Sequence, residues 1–317
     1  AGAVGTGTNG ALGTITNDSA QTLIFSDAVT ATTIANYGTL LFNASSAKTI
    51  SPAITDNGTT TVQVINSADG APGIITFSGN VAADTITIGT TTKAGSALFN
   101  GTVTGTNINI VGGNVSGEAS LGNFANTVTV TAITLDNNTA TATAQFSGAG
   151  KTITGTIDGL AATEGTITVS GTGTTTFVNA IGATYRPSQL TINGATTFQA
   201  AVKTDALTTT AAISNGTSLD VSGTSSLGGD VTTSGTQTYT GAVTVTGTGT
   251  RTLTGTTVTN SSTLNGGGIA LTITGNSSIG GAVTNVTNLS ISGTTSLGAD
   301  VTTSGTQTYT GAVTVTG

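Results

Sequence analysis

Large apolar side chains recur along this chain at intervals far longer than a helical turn, and between them apolar and polar positions alternate. The recurring unit is a pentad with a large apolar residue first, a small residue third and Val or Ile fifth. It reads FSDAV from Phe25, FSGNV from Phe77, FNGTV from Phe99, FANTV from Phe124, FVNAI from Phe177 and FQAAV from Phe198. Leu227, Ile279 and Leu297 open equivalent pentads, as do Tyr239 and Tyr309 in YTGAV. From Phe77 onward the gaps between phenylalanines are 22, 25, 22, 31 and 21 residues. Alternation such as Thr152-Ile153-Thr154 and Val243-Thr244-Val245 puts apolar groups on one face of a strand.

This pattern predicts an all-β chain wound into coils of roughly 20 to 30 residues, each with two or three short strands. The Gly, Asn or Asp at the third pentad position bends the chain between strands, where Gly and Asn accept positive φ. Stacking coils about 4.8 Å apart places ladders of apolar side chains inside and Thr outside. The expected inner ladder is Phe25, Phe77, Phe99, Phe124, Phe177, Phe198, Leu227, Tyr239, Ile279, Leu297 and Tyr309. The fold class is therefore a right-handed parallel β-solenoid. The competing architecture is a string of β-sandwich modules, as in surface-layer proteins, with separate cores about every 80 to 100 residues.

Longer repetition supports coils. Residues 219–247 and 289–317 are identical at 25 of 29 positions, at an offset of 70. The four differences are conservative except Asp220 against Ser290. A shorter unit opens at Leu190, Leu219, Leu271 and Leu289 with variable spacing, which implies loops inserted between coils. We expect one continuous solenoid over residues 1–317. Tyr185-Arg186-Pro187-Ser188 offers a subdivision into irregular coils (1–185) and regular ones (186–317). Pro52, Pro72 and Pro187 lack the amide that a central ladder needs, so they belong in loops or edges.

Composition agrees with strands. Thr is about a quarter of the chain and Gly contributes 47 residues, whereas good helix formers are scarce. Cys, His, Met and Trp are absent, which excludes disulfides and any thiolate or imidazole chemistry. A net charge of −7 leaves Lys48, Lys93, Lys151, Lys203, Arg186 and Arg251 as the cations, too few and too scattered for a nucleic-acid surface. No apolar run approaches the roughly 18 residues of a membrane helix.

Candidate chemistry is sparse. Gly5 to Gly10 matches G-x-G-x-x-G, but no strand precedes it and no helix follows, so chance in a glycine-rich chain explains it. Glu118 and Glu164 stand in turn-like contexts and read as solvated turn acids rather than a catalytic pair. No enzymatic role and no cofactor are expected. Calcium is the better candidate ligand, held by turn carboxylates and amides at Asp56, Asp136, Asp230 or Asp300. Asn17, Asn43, Asn57, Asn100, Asn114, Asn137, Asn215, Asn260, Asn276, Asn285 and Asn288 open N-glycosylation sequons, a number that Asn- and Thr-rich composition produces by accident.

The segments TFSGNV, LFNGTV and GTQTYTGAV-TV resemble coil units of filamentous-haemagglutinin-like exoproteins and autotransporter passenger adhesins, over roughly residues 20–317. That resemblance implies a right-handed β-helix in an extracellular, bacterial cell-surface setting. The NPNG-type signature of two-partner secretion is missing, because Asn-Pro never occurs. The expected function is mechanical: a rod, filament, sheath or surface layer whose partners are copies of itself or the rest of a longer chain. The alternative is an adhesin that binds host protein or glycan through loops such as Asn66 to Gly73 and Glu118 to Asn126. No membrane span is expected.

Overall fold

The computed structural model describes residues 4–5, 12–66 and 73–317. Over these the chain forms a right-handed parallel β-solenoid of about 14 turns, without helix. Each turn has three sides. Sheet I begins with Leu12–Asn17 and sheet II with Thr22–Phe25. Sheet III begins at Val4, which bridges to Val29, and Val29 bridges in turn to Ile50 of Lys48–Ile50 one turn later. Strands pair with the turn above and the turn below and not within separate modules, which rules out the β-sandwich alternative. Pairing also continues across Tyr185 to Ser188, since Thr166–Val169 pairs with Gln189–Ile192.

Coil length is more variable than the phenylalanine spacing suggests. In sheet II, Leu23 pairs with Leu40, 17 residues on, whereas Ile108 pairs with Ile133, 25 residues on. The shortest turns are therefore little more than three strands and three corners.

The eight phenylalanines make one continuous column with successive ring centroids 4.9 to 5.6 Å apart. They do not, however, occupy one ladder. Phe25 and Phe42 lie in sheet II, Phe77, Phe99, Phe124 and Phe146 in sheet III, and Phe177 and Phe198 in sheet I. Rings within a sheet stack at 5 to 26°; at the two changes of sheet, Phe42 to Phe77 and Phe146 to Phe177, the angle is 89°. All three sheets point inward at one narrow axis, so a ring can hand the column to its neighbour on another side by packing edge to face. Among the other expected ladder positions, Leu227 is buried in sheet III, and Tyr239 and Ile279 are buried in sheet II. Leu297 in sheet II and Tyr309 in sheet I are only partly buried, on the last turns.

Corner glycines meet a different demand from the one expected. Gly79 and Gly101, third in their pentads, do not have positive φ. Instead, a Cβ on Gly79 would come 2.6 Å from the Ala53 nitrogen and 2.7 Å from the Pro52 carbonyl of the turn before. A Cβ on Gly101 would come within 2.5 Å of the Gly79 carbonyl carbon. Backbones approach closely where corners stack, and only hydrogen fits between them.

The 70-residue duplication shows how interchangeable the sides are. Leu219 pairs with Gln237, which pairs with Val258 in sheet II. Its counterpart Leu289 pairs with Leu271, and Leu271 with Arg251, in sheet I. The second copy thus sits one side around from the first. Its internal contacts are nevertheless the same: Tyr239 Oη donates to Gln237 Oε1 at 3.0 Å, and Tyr309 Oη to Gln307 Oε1 at 2.9 Å. Gln237 Nε2 donates to the Val231 carbonyl and Gln307 Nε2 to the Val301 carbonyl, both at 3.0 Å. A six-residue strand-and-corner unit carries its own instructions, whichever sheet it joins.

A loop ridge as the candidate functional site

The corner between sheets II and III absorbs most of the variation in turn length. In the regular half it is Asp205 alone, or three residues such as 222–224 and 240–242. In the irregular half it widens to 89–95, 112–119, 137–141, 160–165 and 182–188. The irregular and regular portions of the sequence therefore differ at one corner of a single coil.

These loops lie on one another and make a ridge. Asn138 Nδ2 donates to the Thr91 carbonyl at 2.7 Å, and Thr139 N and Ala140 N donate to Gly113 O at 3.2 and 3.1 Å. Gly159 N donates to Tyr185 O at 3.2 Å and Thr163 N to Arg186 O at 3.0 Å. Asp158 Oδ1 accepts from Thr184 N at 2.8 Å. Glu164 Oε2 accepts from Ala161 N at 3.0 Å, which closes its own turn. Ile74, Val115, Leu160 and Tyr185 stand on this corner 42 to 55% exposed, so it carries apolar groups as well as charges.

Arg186 anchors the C-terminal end of the ridge. Its guanidinium meets Asp220 Oδ2 at 2.6 Å and the Asp220 carbonyl at 3.1 Å, across two turns. This accounts for the one non-conservative difference between the repeats: Asp220 has an arginine to pair with, and Ser290 does not. A second ion pair, Lys48 to Asp27 at 2.9 Å, holds the Asp27 carboxyl below the usual carboxylate range.

Of the acids expected to be solvated, Glu118 is not: it is 2% exposed, folded under the loop it closes. Its neighbours to Asn126 are not an insertion either, because Ser120–Phe124 is a strand of sheet III whose Phe124 fills the core. Alternating small and apolar residues conceal that strand, since Gly122 takes an inward position. Most of the other expected loop, residues 67–72 with Pro72, lies outside the described residues, as do residues 6–10 of the glycine motif.

The calcium candidates are dispersed. Asp56 Oδ1 accepts from Gly58 N at 3.2 Å and Thr60 Oγ1 at 2.9 Å. Asp136 ends its strand on the ridge, where Asn137 Oδ1 accepts from Ala142 N at 2.7 Å. Asp230 Oδ1 accepts from Thr252 N at 2.9 Å, one turn on. Asp300, its repeat counterpart, sits at a different corner because the copies are rotated, so the two do not stack. Among the described residues no three of His, Cys, Asp and Glu gather closely enough to hold a metal.

Elsewhere the surface is hydroxyl-rich. Thr168, Thr191, Thr208, Ser226 and Thr244 form an outward ladder on sheet III, beside a shallow groove without titratable groups. Lys151 is buried at 5% exposure with the Gly148 carbonyl as acceptor at 3.3 Å, and burial lowers its amine pKa. Burial likewise raises the Tyr239 phenol far above its ordinary value. Two sequons are closed by packing, for Asn17 and Asn260 are 4% and 3% exposed. Among the described residues no helix is long and apolar enough to cross a membrane. Comparison with known protein families, curated proteins and solved structures returns no match.

Proposed function

We propose that this chain is an extracellular structural rod of a bacterial surface, building a filament, sheath or layer. The reading rests chiefly on the unbroken turn-to-turn pairing from Leu12 to Val315 around one filled core, under a surface with few charges. Such a stack extends by adding turns, from a longer chain or from a second copy. Electron cryomicroscopy of concentrated protein tests the proposal. Rods joined end to end with a continuous repeat of about 4.8 Å are expected; separate particles at every concentration would count against it.

The ridge favours a second reading, an adhesin, because four exposed apolar side chains on stacked loops suit a protein or glycan partner. Binding to host-surface or glycan arrays that disappears in Leu160→Ser and Tyr185→Ser would favour this reading over the rod.

A further inference from the structure

The corner between sheets III and I carries the sequence Gly-Thr-Gly-Thr at residues 171–174 and again at residues 247–250. A cation lies against each copy. A Cβ on Gly171 would come 3.0 Å from Lys151 Nζ, and a Cβ on Gly247 would strike Arg251 Nη2. Lys151 and Arg251 each open a strand of sheet I, the first one turn before its loop and the second directly after it. The leading glycine of both loops therefore clears space for a charged nitrogen.

Among the described residues no carboxylate pairs with either cation. Lys151 Nζ donates to the Gly148 carbonyl and Arg251 Nη1 to the Thr250 carbonyl, both at 3.3 Å. Arg251 Nε is buried without a partner, as is Oγ1 of Thr175, the residue that follows Lys151 in the stack. Covered charges are normally matched by an opposite one, because leaving water is costly. The donors around these cations are equally unused. The main-chain amides of residues 171–174 and 247–250 donate to no group among the described residues, and residues 172–174 and 247–250 are exposed. Gly173, Gly247 and Gly249 have φ of +75°, +93° and +78°. Left-handed residues within such turns gather successive N–H groups into concavities that favour anions.

We infer that each Gly-Thr-Gly-Thr corner binds a tetrahedral oxyanion, a sulfate or phosphate group, through its loop amides and threonine hydroxyls, with Lys151 or Arg251 as the opposite charge. Four amides and two hydroxyls per loop suit the several oxygens of a tetrahedral anion better than the two of a carboxylate. The group binds as a free ion or as the monoester of a larger molecule. Both sites lie on a different corner from the loop ridge, and the inference does not depend on the rod or the adhesin reading.

The test is a titration of the isotope-labelled 317-residue chain with sodium sulfate, at an ionic strength held constant with sodium chloride, followed by amide nuclear magnetic resonance. We expect saturable shifts centred on the amides of residues 171–174 and 247–250. Arg251→Gln should weaken binding at 247–250 by about tenfold or more and leave 171–174 unchanged, since a hydrogen bond to a charged group contributes that much. Lys151→Met should do the reverse, so each variant carries an intact site that reports on its fold. Glucose 6-sulfate separates the two sources: affinity equal to that of sulfate assigns the sites to the free ion, and tighter binding assigns them to an ester, either of which supports the inference. Shifts that fail to saturate, shifts spread along the threonine ladders, or sulfate affinity unchanged in Arg251→Gln would each overturn it.

Discussion

Replacing Phe124 by alanine removes the ring from the middle of the aromatic column. Phe124 is fully buried, with Phe99 5.3 Å away on one side and Phe146 5.6 Å away on the other. Large-to-small changes at such sites cost about 3–5 kcal/mol, and each ring contact contributes about 0.5–1.5 kcal/mol beyond area burial. Two lost contacts and a cavity walled by neighbouring turns put Phe124→Ala near the top of that range, at about 5 kcal/mol. Phe25 provides the internal comparison, because it ends the column, touches only Phe42 among the rings and is 7% exposed. Its replacement should cost about 3 kcal/mol, since one ring contact is lost and the end can relax. Urea unfolding followed by far-ultraviolet circular dichroism measures both. In a nearest-neighbour array the central variant should also broaden or split its transition, because the two halves lose coupling, whereas the terminal variant should keep one transition. A loss in Phe124→Ala no greater than that in Phe25→Ala would refute the idea that the column transmits stability along the axis.

Other outcomes follow from single sites. Ser277 is buried in sheet II with no partner for its hydroxyl, between Val258 and Thr295 in the stack, so Ser277→Val should raise stability by about 1 kcal/mol in urea titration. Gly101→Ala should cost about 2–4 kcal/mol although φ at Gly101 is not positive, because the methyl strikes the Gly79 backbone; a neutral result would mean that corners are loosely stacked. Burial lowers the Lys151 pKa, so between its folded value and 10.5 the unfolded chain binds more protons and stability rises with pH. Lys151→Met should remove that rise, read as a flatter Tm profile between neutral pH and pH 10. Asp220→Ser, which copies the second repeat, should cost about 1 kcal/mol or less and lose its effect in high salt, since the pair with Arg186 is partly exposed.

The sequence made the architecture readable because the apolar period and the glycine corners are local features. Phe77, Phe99 and Phe124 do stack in adjacent turns, as their spacing implies. The face that each residue joins was not readable. Side assignment depends on the summed length of every preceding corner, so the two-residue uncertainty of one loop moves all later strands. For the same reason Tyr239 and Tyr309, identical in local sequence, occupy different sheets. At the ridge, Glu118 was misread because a glycine-rich neighbourhood normally signals exposure, while here Gly113 clears space for a buried carboxylate. A usable signal did exist: Lys93, Glu118, Asp136, Asp158, Glu164 and Arg186 all fall within or next to the long segments of one corner, in a chain with only 19 charged residues under the counts of 6 basic and 13 acidic.

The rotated duplication bears on how such a molecule changes length over generations. From Leu219 to Leu289 the chain passes eleven sides, not a multiple of three. Recombination that adds or removes this segment therefore shifts everything downstream by a third of a revolution about the long axis, without disturbing the core. Copy number then acts as an angular setting: one unit more or less turns the distal surface to a new azimuth relative to the ridge, and three units bring it back. A lineage that varies its repeat count would vary the direction its far end faces together with its reach.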